Sequence, residues 1–590
     1  MKCNGKIWMR IAVVTVTLIF FLHIRSHASY MTGESQHRNE ADLVILFTND
    51  LHSNADYPRL ASVISAQRDS ALAGECAVVV LDAGDIAMGA IYQTLYPTHA
   101  IEYVTMGMLG YDATTFGNHD FDFGLRALED MFKNAALRSK ELGVKLPYFL
   151  VSNLNIGKDC CNLNNISSIR DTLTVNKEIL YGDSVHHVRI GLFGLMGKDA
   201  FSTIIGNDSL CYKKREEAAV RSVTMLKKSG CDYIICLSHG GTSEDGSLAA
   251  KVAGIDVIIS GHDHDTLHSP LMINKTLVAS AGAMGKYLGK IRLGRNEVKS
   301  YTLIPISDNV VPNPEISMWM DECMQKVSDH FLASGGVVPE DTIAFVNHSY
   351  NLNISPDGNL PLACHIARSY SCKARELTGI TTDNLVSIVP YGIIRNPLDS
   401  GAVTVHNIYN VLSLGISEDG SPGYPLVMAW LNGEELEDIC ELNATVAWGM
   451  ADARLFFDGM KFTFDRRRLP FFRVKEVTVN GEKIDKDSLY PVVTGLYTAK
   501  LMGMLSSSSF GLLSVEPKDQ AGNKVDDLNR LLLPSSEWLA FTEYIKKNGL
   551  ENHTEKCSIE DPTHSIYLYY SLLILPLLIL TVWRLLFRKL

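Results

Sequence analysis

The run Leu43-Val44-Ile45-Leu46-Phe47, followed by Thr48-Asn49-Asp50-Leu51-His52, sets the reading of this chain. A short, branched apolar run of this kind fits a strand buried on both faces. It stops on an aspartate and a histidine two residues apart. In an extended segment alternate residues face the same way, so both side chains can reach one ion. The arrangement recurs downstream. Ala77–Leu81 runs into Gly84-Asp85, and Ala113–Phe116 into Gly117-Asn118-His119-Asp120. Tyr233–Leu237 leads to His239, and Val257–Ser260 to Gly261-His262-Asp263-His264. Side chains that ligate metals therefore fall on successive strand ends, where the loops of an α/β sheet gather chemistry.

Further apolar runs, Tyr148–Val151 and Ile190–Phe193, alternate with amphipathic stretches Tyr57–Gln67, Leu125–Leu137 and Arg215–Lys228. This alternation predicts an α/β layered domain over residues 41–300. Residues 312–338 read as a linker and helix. A second, smaller α/β domain follows over 339–547. It has a helix at Leu360–Leu377 and strands at Val386–Val389, Leu426–Leu431 and Lys475–Val479. Asn480-Gly481 marks a hairpin turn. Ser506–Ser509 and Lys518–Asp527 read as loops, the second one mobile.

The chain has 590 residues, 46% of them apolar and 20% charged, so it can bury a large core and is neither fibrous nor disordered. A net charge of −12 argues against nucleic acid as a general partner. It leaves room for an anionic substrate met by bound cations. Residues 1–28 carry Lys2, Lys6 and Arg10, then the apolar Ile11–Leu22, then Ser26-His27-Ala28, the pattern of a cleaved secretory signal. Residues 566–583 are uncharged and apolar over a length that spans a bilayer. Tyr567, Tyr569 and Tyr570 flank one side, and Arg584, Arg588 and Lys589 the other. The expectation is a C-terminal transmembrane helix that anchors extracytoplasmic domains at a cell surface or in a periplasm. Of the twelve cysteines none forms a CxxC pair, which argues against a zinc–thiolate site, while Cys364 and Cys372 could pair. Asn165, Asn274 and Asn443 head Asn-x-Ser/Thr sequons.

Taken singly, each histidine or aspartate cluster could be a turn or a strand cap. Together they offer imidazole, carboxylate and amide oxygen, a donor set suited to zinc, manganese, iron or cobalt. They suffice for two divalent ions sharing a carboxylate about 3.5 to 4 Å apart. Such a pair lowers the pKa of a bridging water and neutralises phosphoryl oxygens. His119 stands next to a ligand but is itself free, and so can protonate a leaving oxygen. Asp122, three residues on, can orient its ring.

On these motifs residues 41–294 resemble the calcineurin-like metallophosphoesterases. The whole ectodomain is similar to the 5′-nucleotidase and UDP-sugar hydrolase family. The family order Asp-x-His, Gly-Asp, Gly-Asn-His-Asp/Glu, His, Gly-His-x-His is present in full. The resemblance implies a four-layer α/β/β/α sandwich followed by a nucleotide-pocket domain. It implies that Asp50, His52, Asp85 and His264 hold one metal, that Asp85 bridges, and that Asn118, His239 and His262 hold the other. His119 and Asp122 become the catalytic dyad. In the second domain Gly358-Asn359-Leu360, Ile394-Arg395 and Trp430-Leu431-Asn432-Gly433 are similar to family landmarks. Arg395 is implied to bind phosphate or carboxylate oxygens, and Tyr497 to stack a base. Elsewhere the chain departs. Pro390-Tyr391-Gly392-Ile393 replaces a glycine-rich turn, Asn353 stands where an arginine is expected, and Leu414 replaces the first stacking aromatic. The expected activity is hydrolysis of nucleotides to nucleosides and phosphate. The alternatives are a UDP-sugar or cyclic-nucleotide phosphodiesterase, another ester hydrolase, and a catalytically silent surface binding protein.

Overall fold

The computed structural model describes residues 42–550, apart from short internal stretches of which 504–513 is the longest, together with residues 559–560. The expected signal (1–28) and anchor (566–583) lie outside the described residues. Among the described residues no helix is long and apolar enough to cross a membrane.

Leu43–Thr48 is a strand with every residue buried. It pairs in parallel with Ala77–Asp82 and antiparallel with Tyr287–Gly294. Around it grows a seven-stranded sheet in the order Glu297–Pro305, Tyr287–Gly294, Leu43–Thr48, Ala77–Asp82, Ala113–Thr115, Tyr148–Leu150, Ile169–Arg170. A six-stranded sheet runs Leu271–Ile273, Thr276–Ala279, Val257–Ser260, Tyr233–His239, Ser184–Met196, Thr172–Tyr181. Strand periodicity decides what lies between them. Leu43, Ile45, Phe47, Val79 and Leu81 pack in one core with Ile190, Leu192, Ile235, Leu237, Val257 and Ile259. The alternate residues Val44, Leu46, Val78 and Val80 share a core with residues of the helices Tyr57–Ala73, Ile101–Leu109 and Gly124–Leu142. On the far side Phe193, Leu195, Ile234 and Ile258 pack with the helices Arg215–Lys228 and Gly241–Lys251. The result is helix, sheet, sheet, helix.

The predicted helices are present, and two are longer than their amphipathic signal. Tyr57–Ala73 starts at Asp56, whose side chain accepts from Arg59 N–H, and runs on to Gly74. Gly124–Leu142 ends at Gly143 in the left-handed conformation that suits glycine. Pro314–Gly335 is less a linker than part of the core. Trp319 Nε1 donates to Thr105 Oγ1 at 2.7 Å, and Phe331 sits edge-on to Tyr409 and Trp538.

The second unit holds a five-stranded sheet in the order Leu455–Asp458, Val386–Pro390, Leu489–Gly495, Pro425–Asn432, Leu532–Ser536. A four-stranded sheet runs Glu482–Lys483, Val474–Val479, Met460–Phe464, Ile559–Glu560. Asn480 and Gly481, both at positive φ, make the predicted hairpin turn. The structure decides three points that the sequence left open. Cys364 is disulfide-bonded while Cys372 is free, so those two do not pair. Lys518 is not in a loose loop. Its backbone bridges Trp430, and its ammonium lies 2.6 Å from the buried Glu435 carboxylate. Asn443 is buried with its amide tied to Leu455 in both directions, so that sequon offers no accessible acceptor.

Candidate metal centre

The strand ends of both sheets meet at one place. Asp50, His52 and His264 bring ligand atoms within 4.8 Å of one another, and so do Asp50, Asp85 and His239. His52 Nε2 and His264 Nε2 face each other at 2.9 Å. His239 Nε2 lies 3.1 Å from Asp85 Oδ2, and His52 Nε2 lies 3.8 Å from the same oxygen. Asp50 is common to both groups, whereas the resemblance gives the bridge to Asp85. Asp85 Oδ2 nevertheless lies between a histidine of each set. Asp50, His52, Asp85 and His239 are essentially inaccessible to solvent.

Backbone carbonyls fix how the rings point. His52 Nδ1 is 3.0 Å from Met88 O, and His239 Nδ1 is 2.8 Å from Ala83 O. A carbonyl only accepts, so each Nδ1 carries a proton and each Nε2 is the atom turned towards the site. Asn118 Oδ1 is buried and has no hydrogen-bond partner among the described residues. An orphaned buried oxygen beside imidazoles and carboxylates fits a cation, since burial without a partner is costly. The donor set therefore suits two divalent ions.

Burial opposes the charge on His239, but Asp85 outweighs it and raises the ring to about 10. Burial, then Arg395, hold His52 well below the usual histidine range. Burial, followed by repulsion from Asp85, raises Asp120 to about 8.

The extended-segment reading of Asp50 and His52 is wrong in its geometry. Asp50 (φ 53°), His52 (φ 51°), Asp85 (φ 55°), His262 (φ 93°) and His264 (φ 57°) all occupy left-handed backbone. Non-glycine residues adopt it at a cost, and such strain clusters where function holds it in place. The turns, not an extended strand, turn these side chains inward. His262 and His264 accordingly part company. His264 joins Asp50 and His52, while His262 Nε2 sits 3.2 Å from Asp199 Oδ2 and its ring 5.3 Å from that of His239. Gly117 allows the close approach: a Cβ there would fall inside the Asp85 carboxylate.

His119 Nδ1 lies 2.6 Å from Asp122 Oδ2, and His119 N–H donates to Asp85 Oδ1 at 2.9 Å. Burial opposes charge on His119, but Asp122 and Asp85 outweigh it and raise its pKa. From the second unit Arg395 brings Nη2 to 3.4 Å from His52 Nε2. Asn396 beside it accepts from Asn54 Nδ2 at 2.6 Å. Tyr497 does not present both faces of its ring. It stacks on Tyr424 at 5.7 Å, 21° from parallel, and Leu414 is buried.

Several supporting roles escaped the sequence reading. Asn49 Nδ2 donates to Asp50 Oδ2 at 2.7 Å, and its place beside Asp50 was the available signal. Asp120, part of the Gly-Asn-His-Asp run but given no role there, accepts from Gly117 N–H and Ile86 N–H. Asp199 and Tyr424 carry no such signal, because they reach the site only through folding.

The sequence comparisons agree with this architecture. Residues 43–266 match the calcineurin-like phosphoesterase family, and residues 344–504 match the 5′-nucleotidase C-terminal domain. The trifunctional nucleotide phosphoesterase YfkN of Bacillus subtilis is 27% identical over 77% of this chain, which spans only 31% of that protein. The 5′-nucleotidase of Bos taurus is 24% identical, with 77% of this chain and 82% of that one aligned. A 5′-nucleotidase precursor from Thermus thermophilus has the same fold, at TM-score 0.65 and 20% identity, with 88% of this chain and 99% of that one covered. The chain thus belongs to the family of metal-dependent phosphoesterases that joins a calcineurin-like phosphoesterase domain to a 5′-nucleotidase C-terminal domain.

Proposed function

We propose that this chain is a membrane-anchored, extracytoplasmic hydrolase that cleaves a nucleotide-like phosphoester to an alcohol and phosphate. The observation that carries the reading is the meeting of three parts. These are the Asp50–His52–Asp85–His239–His264 cluster, buried but for the half-buried His264, the His119–Asp122 pair, and Arg395 reaching in from the second unit. The proposed ligands are Asp50, His52, Asp85 and His264 for one cation and Asn118, His239 and His262 for the other, with Asp85 between them. Two divalent cations there would supply Lewis-acid charge and a nucleophile of lowered pKa. His119, oriented through Nδ1 by Asp122, gives its other ring proton to the leaving oxygen. Its backbone N–H holds Asp85 in place. Arg395 binds equatorial phosphate oxygens or a substrate carboxylate through its planar fork. The sequence ends that lie outside the described residues supply the signal and the anchor.

A second reading, a phosphodiesterase acting on a UDP-sugar or a cyclic nucleotide, is favoured by one observation. One face of Tyr497 is taken by Tyr424, and the first stacking position is the buried aliphatic Leu414, so the two-ring clamp expected for a purine is altered. Assaying the purified chain with manganese, zinc or cobalt on AMP, UDP-glucose, 3′,5′-cyclic AMP and p-nitrophenyl phosphate separates the two. The phosphohydrolase reading fails if neither Asp85→Asn nor His119→Ala lowers turnover.

A further inference from the structure

The strands Met460–Phe464 and Val474–Val479 are joined by Asp465-Arg466-Arg467-Arg468-Leu469-Pro470-Phe471-Phe472-Arg473. At its tip Leu469 is 70% exposed and Phe472 66% exposed, and the three consecutive arginines are exposed beside them. The loop is held firmly. Asp465 N–H donates to Arg473 O at 2.8 Å, Arg468 N–H to Asp465 O at 3.1 Å, and Phe472 N–H to Leu469 O at 3.0 Å. Phe471 N–H donates to Thr445 Oγ1 at 3.0 Å, with Phe471 itself at φ 67°. Arg473 is buried, its backbone and guanidinium spent on Glu441 and Ala444. Two large apolar side chains are thus fixed in water on a rigid projection. Single exposed hydrophobics need no explanation. A preformed tip with two of them, flanked by cations, has the make-up of an interfacial anchor, whose apolar part enters the headgroup boundary while arginines meet anionic headgroups. The loop's own acid, Asp465, is matched by Arg467 at 2.8 Å and Lys475 at 3.6 Å, which leaves an excess of positive charge.

The course of the chain supplies a second, independent observation. Ile559–Glu560 runs parallel to Met460–Phe464, with Ile559 opposite Phe462 and Glu560 opposite Thr463. It therefore leaves the sheet at the end where Phe464 turns into the arginine-rich loop. The apolar stretch 566–583 begins six residues after Glu560, a span of at most about 20 Å for an extended chain.

We propose that the Asp465–Arg473 loop is a membrane-docking surface. It seats on a bilayer bearing anionic headgroups, with Leu469 and Phe472 in the interface and Arg466 to Arg468 at the headgroups. The proposal rests on reading 566–583 as the anchor, and it adds that the second unit lies against the lipid.

The test is hydrogen exchange on the full chain in nanodiscs of phosphatidylcholine, with or without phosphatidylglycerol, against the chain in detergent. Amides of 465–473 slow by about tenfold or more in anionic discs and less in neutral ones. Leu469→Ser with Phe472→Ser abolishes the slowing. Substituting glutamine at Arg466, Arg467 and Arg468 removes its dependence on phosphatidylglycerol. Exchange elsewhere and turnover of a soluble substrate stay unchanged in both variants. Equal exchange in discs and detergent, with the chain still embedded, overturns the docking surface, as does slowing that appears only on adding a protein. A carbonate wash of vesicles tests the anchor separately. Release by the wash refutes the anchor, while loop protection measured before the wash upholds the docking surface on its own.

Discussion

Replacing Asp122 with asparagine isolates the proposed proton-donating role. The Asp122 carboxylate lies 2.6 Å from His119 Nδ1, and the two side chains are only 11% and 20% exposed. Asparagine keeps the shape and can still accept from Nδ1, so the loop stays folded and only the charge is lost. A hydrogen bond to a charged group is worth roughly 1.5 to 3 kcal/mol. At 1.36 kcal/mol per decade, its full loss in the transition state lowers kcat/KM by roughly 12-fold to about 150-fold. The assay compares AMP, whose leaving oxygen is an alkoxide, with p-nitrophenyl phosphate, whose aryloxide leaves without a proton. The expected loss falls in that range for AMP and is several-fold smaller for the aryl ester. Metal content, measured by mass spectrometry in parallel, stays unchanged. Equal losses on both substrates, or a loss under about twofold on AMP, would refute leaving-group protonation by His119.

Gly117→Ala places a methyl group in the Asp85 carboxylate. It should lower metal content and abolish turnover, and an active, fully metallated variant would contradict the packing described. Asn118→Ala removes a buried oxygen that has no partner among the described residues. Bound metal should fall from two ions towards one per chain with little loss of thermal stability, whereas retention of two ions by elemental analysis would exclude Asn118 as a ligand. Glu537 is buried, accepts from Tyr370 Oη at 2.8 Å, and is raised by burial from 4.5 to about 8. The fold therefore binds a proton there that the unfolded chain has released, so this group's stabilisation is complete below about pH 4.5 and lost as pH rises towards 8. A shift of this size corresponds to roughly 5 kcal/mol at most. Glu537→Gln should flatten the fall in urea-denaturation stability between pH 5 and pH 8, and an identical fall in both proteins would count against the assignment.

Much of this molecule was legible before folding. Strands buried on both faces are written as contiguous apolar residues, so Leu43–Thr48, Ala77–Asp82 and Val257–Ser260 announced themselves. The helix at Arg215–Lys228 has the predicted bounds, because the acidic residues of its first turn and the lysines of its last mark both ends. The ligand candidates were visible because each lies within a few residues of a strand end. The docking loop was not singled out, since nothing in Arg466-Arg467-Arg468-Leu469 says that the neighbouring backbone ties will hold Leu469 and Phe472 out in water.

Local pattern records period, burial and chain reversal, since each depends on neighbours along the chain. Which groups meet depends on sheet order. His52 and His264 are 212 positions apart and come to 2.9 Å only because their strands belong to two sheets stacked on one core. The left-handed turns at Asp50, His52 and Asp85, the pairing of His262 with Asp199, and the Tyr424–Tyr497 stack have the same origin. Residue order by itself determined the layered fold and the inventory of candidate ligands. Tertiary structure decided which of those candidates meet, because strained backbone and contacts across hundreds of residues are stable only once the surrounding core holds them.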